Sequence, residues 1–394
     1  MIKTKFSMFI STTSELENAC KSLMEAEPKF VAVDTEFTRN GKTYYPILSL
    51  IQVSYGINKN FIVDALAPEI NLSAMGKILS DTQIIKVFHG CRQDIESLLT
   101  VFKDAPKPIF DTQIAAMLCY YYHDFIGYAK LVEQFKNVTL DKKKTKTSDW
   151  SKRPLSEEQL NYAINDVTHL YDLYHILYDK LIERCRLDWF LEEMEELSNT
   201  DRYIYSPKNA WKRFKVSQQG YDMFLIKTIS EWQETLAQNY NVNRNRIIND
   251  SVVKILSEKR VDYADEMLCS LKKYAKTIQE EDLLEYINIF NSNKNIVEER
   301  RVLTTNIDDQ SIFDVLSIYL HNKCKNHNIS NKLIASKEEI KESVHNKTSS
   351  LFKGWRNNFF GQFIQSFLNS NAKIEILIKN DKMEIYNSLA GNFE

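Results

Sequence analysis

A short run near the N-terminus places two carboxylates where they could bind a divalent cation. The segment Val31-Ala32-Val33-Asp34-Thr35-Glu36-Phe37 predicts a strand, in which Asp34 and Glu36 share one face. Neighbouring carboxylates on a strand repel each other and lose hydration, and a divalent cation is a usual compensation. A half-exposed strand with a hydrated polar face explains the same alternation equally well.

A third carboxylate, Asp94, follows the predicted strand Ile84–His89 and falls in the first turns of the next predicted helix. The helix dipole favours a carboxylate at that position whatever its function. Asp94 alone is therefore compatible with a purely structural role.

The fourth carboxylate lies on the predicted helix Ser156–Glu183, which begins with a capping-box pair, Ser156 and Gln159. Tyr162 and Asp166 are four residues apart and share a face of this helix. An ordinary amphipathic helix also carries such pairs. The functional interpretation therefore depends on the combination of the three segments.

The elements that must position these residues show strand and helix patterns in alternation. Short runs rich in β-branched residues predict strands at Phe30–Phe37, Ile47–Ser54, Phe61–Ala65 and Ile84–His89. Helical periodicity marks Ser14–Ala26, Arg92–Phe102, Asp111–Tyr120 and Ser156–Glu183. A short connection with Gly41 and Pro46 joins the first two strands, so we expect them to pair antiparallel within a mixed sheet flanked by helices.

The second half of the chain differs in proline content and in the spacing of its apolar residues. All seven prolines lie at or before Pro207, and the apolar spacing beyond it predicts an all-α region. Polar segments at Ser198–Lys212 and Asn291–Asn306 mark the expected boundaries between domains. We therefore predict a catalytic domain over 1–205 and helical domains over 213–292 and 300–394, with a short hairpin within Ala372–Tyr386.

Composition excludes several classes of protein. The 394 residues are 43% hydrophobic and 26% charged, with a net charge of −2, which indicates a folded protein that is not globally basic. Glycine-loop nucleotide motifs, a secretory signal and a membrane span are not expected. The six cysteines form no C-x-x-C pair and predict reduced thiols in a cytoplasmic protein: Cys20, Cys91, Cys119, Cys185, Cys269 and Cys324.

Taken together, the motifs resemble a known enzyme family. The chain is similar to the DEDD superfamily of 3′→5′ exonucleases, tyrosine subclass, and most closely to the ribonuclease D family. The likeness is carried by VAVDTEF, LSLIQVS, KVFHGCRQDIESL, IFDTQIAAML, SDWSKRPLSEEQLNYAINDVTHLYDLY and KGWR. It is strong up to about Tyr178 and looser beyond.

The resemblance implies a ribonuclease H-like α/β exonuclease domain followed by HRDC-type helical bundles. Asp34, Glu36, Asp94 and Asp166 would hold two Mg²⁺ or Mn²⁺ ions, and Tyr162 would orient the attacking water. Four carboxylates without a Cys–His cluster fit the oxygen ligands that such ions prefer. Hydrolysis of a phosphodiester by two metal ions is the chemistry that this set supports.

Contacts with the substrate are expected beside this site. The basic run of residues 140–153 precedes the Tyr162 helix and could neutralise phosphate charge. The predicted substrate-binding residues are Thr35, Phe37, Lys144, Lys146, Trp150 and Arg153. Structural roles are expected for Gln52, Asp111, Thr112 and Gln113, and core positions for Trp232 and Trp355.

The expected activity is release of nucleoside 5′-monophosphates from RNA 3′ ends, with tRNA precursors as substrates. The expected partner is an RNA with a single-stranded 3′ end, without a membrane or a nucleotide cofactor, and the protein is expected to be a monomer. Two alternatives stay open. A DNA 3′→5′ exonuclease would use the same carboxylates, and an inactive RNA-binding protein could keep the fold.

Overall fold

The computed structural model of the chain describes most of its residues. The described ranges are 8–140, 148–214, 222–258, 264–274, 278–293, 307–345, 349–379 and 382–389. None of the helices within these ranges combines the length and the apolar character needed to cross a membrane.

A six-stranded mixed sheet forms the centre of the N-terminal region. Its strands are β1 (Met8–Ile10), β2 (Phe30–Thr38), β3 (Ile47–Ser54), β4 (Asn60–Asp64), β5 (Ile85–Phe88) and β6 (Ile109–Asp111). Their spatial order is β1-β4-β3-β2-β5-β6. The β2–β3 and β3–β4 pairs are antiparallel, and the β1–β4, β2–β5 and β5–β6 pairs are parallel. The mixed sheet and its antiparallel first pair are confirmed.

Helices cover both faces of this sheet. They are α1 (Thr13–Glu25), α2 (Ser73–Ser80), α3 (Arg92–Leu98), α4 (Thr112–Cys119), α5 (Tyr128–Lys136), α6 (Glu157–Glu183) and α7 (Leu187–Leu197). Val31, Ala32 and Val33 of β2 point to alternate faces and are all fully buried. The central strand is therefore apolar up to the point where Asp34 begins the polar stretch.

Several predicted elements are confirmed and others were missed. All four predicted strands and helices α1, α4 and α6 match within one or two residues at each end, whereas the helix after β5 ends at Leu98 and not at Phe102. The pattern missed β1, β6, α2, α5 and α7. Strands of three residues such as β1 and β6 are too short to show a period, and only pairing with a neighbour stabilises them.

The N-terminus of α6 forms as its sequence predicts. The Ser156 hydroxyl accepts from the Gln159 backbone N–H at 3.2 Å, and the Ser156 N–H donates to the Gln159 side chain at 3.0 Å. This capping box fixes where the helix begins and thereby the positions of Tyr162 and Asp166 along it.

A bundle with its own core follows the N-terminal region. It contains α8 (Met223–Asn239), α9 (Arg244–Ile247), α10 (Asp250–Ser257), α11 (Ala264–Tyr274) and α12 (Glu280–Asn293). Trp232 is fully buried in this core, and its indole N–H donates to the Asp282 carbonyl at 2.7 Å. Its expected core position is confirmed.

The last helices pack directly on the N-terminal region. They are α13 (Ile307–Asn326), α14 (Asn331–Ile334), α15 (Lys337–His345), α16 (Gly354–Arg356) and α17 (Gln362–Leu368). The antiparallel hairpin β7 (Ala372–Lys379) and β8 (Lys382–Leu389) ends the described chain, as predicted. Apolar residues of this region belong to the same buried cluster as the core of the sheet.

Trp355 and Arg356 anchor this region to α7. The Trp355 ring stacks on Trp189 with centroids 4.9 Å apart, and its indole N–H donates to Glu193 at 2.7 Å. Arg356 forms a bidentate ion pair with the same Glu193 carboxylate. Trp355 is buried as expected. The all-α second half is confirmed apart from the hairpin, whereas the domain limits at 205, 213, 292 and 300 stay predictions.

Candidate active site

Three of the four predicted carboxylates converge on one point. Asp34 and Glu36 lie on β2, and Asp166 lies on α6, which packs across β2, β3 and β4. One carboxylate oxygen from each residue lies within 4.8 Å of the other two. The fold therefore joins a strand near residue 35 to a helix about 130 positions later in one acidic cluster.

Asp94 stands beside this cluster, in the first turn of α3, and Thr35 holds it there. The Thr35 backbone N–H and hydroxyl both donate to Asp94 Oδ1, at 3.1 and 2.7 Å. Ser97, one turn on, approaches the Thr35 hydroxyl at 3.1 Å. Thr35 was predicted to contact substrate, but the structure places it, 5% exposed, as a support for Asp94. Its contact with RNA stays a prediction.

Asp111 fixes the turn that presents α3. Its carboxylate accepts from the backbone N–H groups of Gly90 at 3.0 Å and Cys91 at 2.8 Å, while also capping α4. Gly90 has φ +69°, a conformation that glycine adopts most easily. A side chain there would also press on Gln113. The β5–α3 turn is therefore closely specified, and Asp94 follows it by four residues.

Burial and mutual repulsion raise the pKa values of all four carboxyl groups. Desolvation is the largest cause in each case. It raises the pKa of Glu36 to about 10, with Asp34, Asp166 and Asp94 adding to the effect. The pKa of Asp166 is raised to about 7, although its hydrogen bond with Tyr162 opposes the rise. The pKa values of Asp34 and Asp94 lie well above their usual range, by burial and by the neighbouring Asp166 and Asp34 charges respectively.

Tyr162 stays protonated at physiological pH in this setting. Burial, followed by the charges of Asp166, Glu36 and Asp34, raises the pKa of its hydroxyl well above the usual value. The hydroxyl is hydrogen-bonded to the Asp166 side chain one turn along α6. Tyr162 is therefore suited to donate a hydrogen bond and not to remove a proton.

The cluster fits a divalent cation by the chemistry of its donors. Asp34, Glu36 and Asp166 offer only oxygen ligands, as Mg²⁺ and Mn²⁺ prefer. Their raised pKa values show that three negative charges at this spacing are unfavourable without a compensating positive charge. A bound dication would supply that charge. Asp94 is not one of the three residues whose oxygens converge, but its charge helps to raise the pKa values of Glu36 and Asp166.

Two predicted substrate residues, Trp150 and Arg153, lie before α6 and have partners within the chain. Trp150 is buried, with its ring centroid 6.1 Å from that of Tyr162. Arg153 donates to both Asp64 carboxylate oxygens, at 2.6 and 2.5 Å, and to three backbone carbonyls. All five N–H groups of the guanidinium are thereby used. These contacts anchor the segment that leads into α6, and the predicted RNA contacts of both residues stay untested.

The remaining predicted substrate residues are less constrained. Phe37 is half-buried after a bulge that follows Glu36 in β2, and the Arg39 guanidinium lies 5.6 Å from its ring centroid. Lys144 and Lys146 lie outside the described residues. Phosphate contacts by these lysines stay predictions.

Other residues at the site were not assigned to it from the sequence. Tyr128, at the start of α5, donates to the Asn165 carbonyl at 2.9 Å, and the pKa of its buried hydroxyl is raised by desolvation and by the Asp166 and Asp34 charges. Gln52 of β3 lies directly opposite Asp34 and is fully buried. Among the described residues, the Gln52 side-chain amide has no hydrogen-bond partner. The sequence predicted only a structural role for Gln52 and gave no signal for Tyr128.

Comparisons with known proteins agree with this geometry. Residues 8–182 match a family described as 3′-5′ exonuclease. The chain is 33% identical to ribonuclease D of Jannaschia sp., over 95% of this chain and 98% of that protein. Ribonuclease D of Granulibacter bethesdensis is 34% identical over 90% of each chain. The crystal structure of Escherichia coli RNase D, 24% identical, superposes with a TM-score of 0.72 over 93% of this chain and 99% of that one.

Proposed function

The chain belongs to the ribonuclease D family, and on that premise we propose that it removes nucleoside 5′-monophosphates one at a time from RNA 3′ ends. The observation that carries the proposal is the convergence of Asp34, Glu36 and Asp166 within 4.8 Å, in the region that matches the 3′-5′ exonuclease family. Asp94 and Tyr162 stand beside them. The five residues form the proposed catalytic set.

We assign the metal ligands to Asp34, Glu36, Asp94 and Asp166, and propose two Mg²⁺ or Mn²⁺ ions as the cofactor. Such ions would acidify an attacking water and neutralise charge on the scissile phosphodiester. The oxygen-only donor set supports the use of a divalent cation. The choice between the two metals and the number of ions are part of the proposal.

The residues of the chain have separate tasks in this mechanism. Thr35 holds Asp94 by two hydrogen bonds, so that its carboxylate keeps a fixed position beside the cluster. Tyr162 keeps its proton and presents its hydroxyl at the edge of the carboxylates, where it orients the attacking water. Arg153 ties the segment before α6 to Asp64 of β4 and so holds the helix against the sheet. The site is therefore largely preorganised before RNA binds.

The substrate we propose is a structured RNA with an unpaired 3′ end, such as a tRNA precursor. The Escherichia coli relative is described as an exoribonuclease involved in structured RNA processing. We also propose that the bundle of α8 to α12 is an HRDC-type unit that assists RNA binding. A monomeric state and a cytoplasmic location remain predictions from the sequence.

A gel time course on 5′-labelled RNA with an unpaired 3′ tail tests the proposal. Reactions contain Mg²⁺, Mn²⁺ or EDTA, with a matched DNA alongside. We expect a metal-dependent ladder that shortens from the 3′ end and runs faster on RNA. Asp34→Asn should abolish it, while Asp179→Asn, an exposed position on α6, should not.

Other results would select an alternative. A faster ladder on DNA would indicate a DNA exonuclease of the same superfamily. No ladder with either metal, together with a shift of the RNA on a native gel, would indicate an RNA-binding protein without catalysis. Internal cleavage products would contradict the exonucleolytic mode.

A further inference from the structure

A cavity of about 770 Å³ lies between the catalytic region and the first helical bundle. This interdomain cleft is bounded by the β2–β3 connection, by α3 and the segment after it, by residues 200–205, and by the end of α8 with the start of α9. The charged and aromatic side chains in its wall include Arg39, Tyr44, Tyr45, Lys103, Tyr205 and Arg244. Its volume is within the range of about 300–1,000 Å³ that is typical of ligand sites.

The wall of the cleft includes residues close in sequence to two of the proposed catalytic carboxylates. Arg39 follows Glu36 by three residues, which span at most about 11 Å of extended chain. Glu96 follows Asp94 by two residues on α3, and both Arg39 and Glu96 line the cleft. The two elements that carry Glu36 and Asp94 therefore continue directly into its wall.

The charged side chains of the wall favour an anion. Three are cations, Arg39, Lys103 and Arg244, and one is an anion, Glu96. Arg39 pairs with Glu96 at 2.8 Å, and Arg244 lies 3.3 Å from the buried Glu234. Lys103 is exposed and has no ion pair within the part of the chain that the structure describes. It offers a charge that no carboxylate of the described residues neutralises.

Aromatic rings are interleaved with these charges. The Tyr44 and Tyr45 rings meet edge to face with centroids 4.8 Å apart. Tyr45 is 42% exposed and Tyr205 41% exposed, so each presents a ring to the cleft. Alternating cations and accessible rings are the features with which proteins bind single-stranded nucleic acid, since phosphates and bases alternate along the strand.

Contacts between the two bodies hold the cleft at a fixed width. The Tyr44 hydroxyl donates to the fully buried Glu234 of α8 at 2.5 Å. The Asn243 N–H donates to the Lys42 carbonyl at 2.9 Å, and the Tyr45 N–H donates to Asn241 at 3.0 Å. The cavity is therefore a built feature of the interface.

We propose that the interdomain cleft is a second RNA-binding site, which holds the nucleotides on the 5′ side of the one being removed. The inference rests on the proposed function, because the 3′ terminal nucleotide then occupies the carboxylate cluster. Every RNA nucleotide that binds outside the carboxylate cluster must therefore lie on the 5′ side of that terminal nucleotide. The cleft thus makes the enzyme prefer substrates longer than a dinucleotide.

Kinetics on substrates of two lengths test this site. We compare kcat/KM for a dinucleotide and for a single-stranded heptanucleotide. Lys103→Gln and Tyr45→Ala should lower the ratio of the long to the short substrate about 10-fold, mainly through the KM of the long one. Tyr45→Phe keeps the ring and should keep the ratio. Lys77→Gln, an exposed lysine on α2 outside the cleft, is the matched charge control.

Binding in EDTA provides a readout that does not need turnover. Anisotropy of a fluorescent heptanucleotide should show weaker binding by both variants. For Lys103→Gln, the slope of log K against log salt should become shallower by about 0.7, as expected for one lost phosphate contact on a single strand. The slope for Lys77→Gln should match that of the wild type. If Tyr45→Ala does not fold, Lys103→Gln alone decides the outcome.

The possible failures are distinguishable. The cleft is overturned as a binding site if Lys103→Gln hydrolyses both substrates with the wild-type ratio of kcat/KM values and binds the heptanucleotide with the wild-type affinity. The proposed function would stay intact in that case. No hydrolysis of either length by the wild type would overturn the proposed function. In that case, unchanged heptanucleotide binding by Lys103→Gln would overturn the cleft proposal as well.

Discussion

Replacing Glu36 with Gln should abolish RNA hydrolysis and at the same time stabilise the metal-free protein at neutral pH. Glu36 carries the pKa of about 10 that burial and the neighbouring Asp34, Asp166 and Asp94 charges impose. The folded state therefore holds the Glu36 proton more tightly than the unfolded state does. Between pH 4.5 and about 10 the folded state binds more protons, so its stability falls as the pH rises through this window.

The magnitude follows from the size of the shift. Each pH unit between 4.5 and 7 costs about 1.4 kcal/mol, which sums to at most about 3.5 kcal/mol at pH 7. The neutral amide of Gln does not titrate and avoids this cost. For a cooperative unit of about 200 residues, the difference corresponds to a melting temperature higher by at most roughly 7 to 14 °C.

Thermal unfolding in EDTA between pH 5 and pH 8 measures the effect. The wild type should lose stability towards pH 8, and Glu36→Gln should lose less, so that the two curves converge near pH 5. Glu17→Gln, an exposed position on α1, is the matched control and should follow the wild type. Adding Mg²⁺ or Mn²⁺ should raise the melting temperature of the wild type more than that of Glu36→Gln, because binding to the folded state stabilises it.

Two results would refute this reasoning. One is a Glu36→Gln protein that melts below the wild type in EDTA at pH 7.5 while Glu17→Gln does not. The other is a wild-type melting temperature that does not change with pH while that of Glu36→Gln does. Either would mean that the carboxylate of Glu36 is already compensated in the metal-free fold.

Three further predictions concern neighbouring residues. Tyr162→Phe should lower kcat about 100-fold with KM changed only a few-fold, since the lost hydroxyl orients the water and not the RNA; an unchanged kcat in steady-state assays would remove Tyr162 from the catalytic set. Gln52→Met should stabilise the metal-free protein by about 1 kcal/mol or more in denaturant titrations, because the buried amide has no hydrogen-bond partner among the described residues. A destabilised variant would show that the amide does form hydrogen bonds in the folded protein. Arg153→Lys should destabilise the protein by about 1 to 2 kcal/mol, because lysine cannot make the bidentate contact with Asp64. The exposed Lys152→Gln variant is the control. Equal unfolding midpoints for Arg153→Lys and the wild type would contradict the anchoring role.

The local features of the active site were predictable from the sequence. Alternation along β2 put Asp34 and Glu36 on one face, and helical spacing put Tyr162 and Asp166 on another. The capping box located the start of α6. Each of these depends on neighbours within about four residues, and local backbone geometry is sufficient to determine them.

The sequence also determined more than the individual elements. The order and flanking residues of the motifs identified the family, and the proline-free second half predicted a helical region. The sequence pattern did not predict β1, β6, α2, α5 and α7. Their hydrophobic periodicity is weak, and contacts with residues elsewhere in the chain stabilise them.

Only the tertiary structure decided which groups meet. Asp166 and Asp34, about 130 positions apart, lie together in the folded chain, and Thr35 binds Asp94. All five N–H groups of Arg153 have partners that the basic run did not predict. The tertiary structure also closed the interdomain cleft by joining Tyr44 to Glu234. Packing and sheet register fix such distances, and they depend on residues far apart in the chain; local spacing therefore carries no record of them.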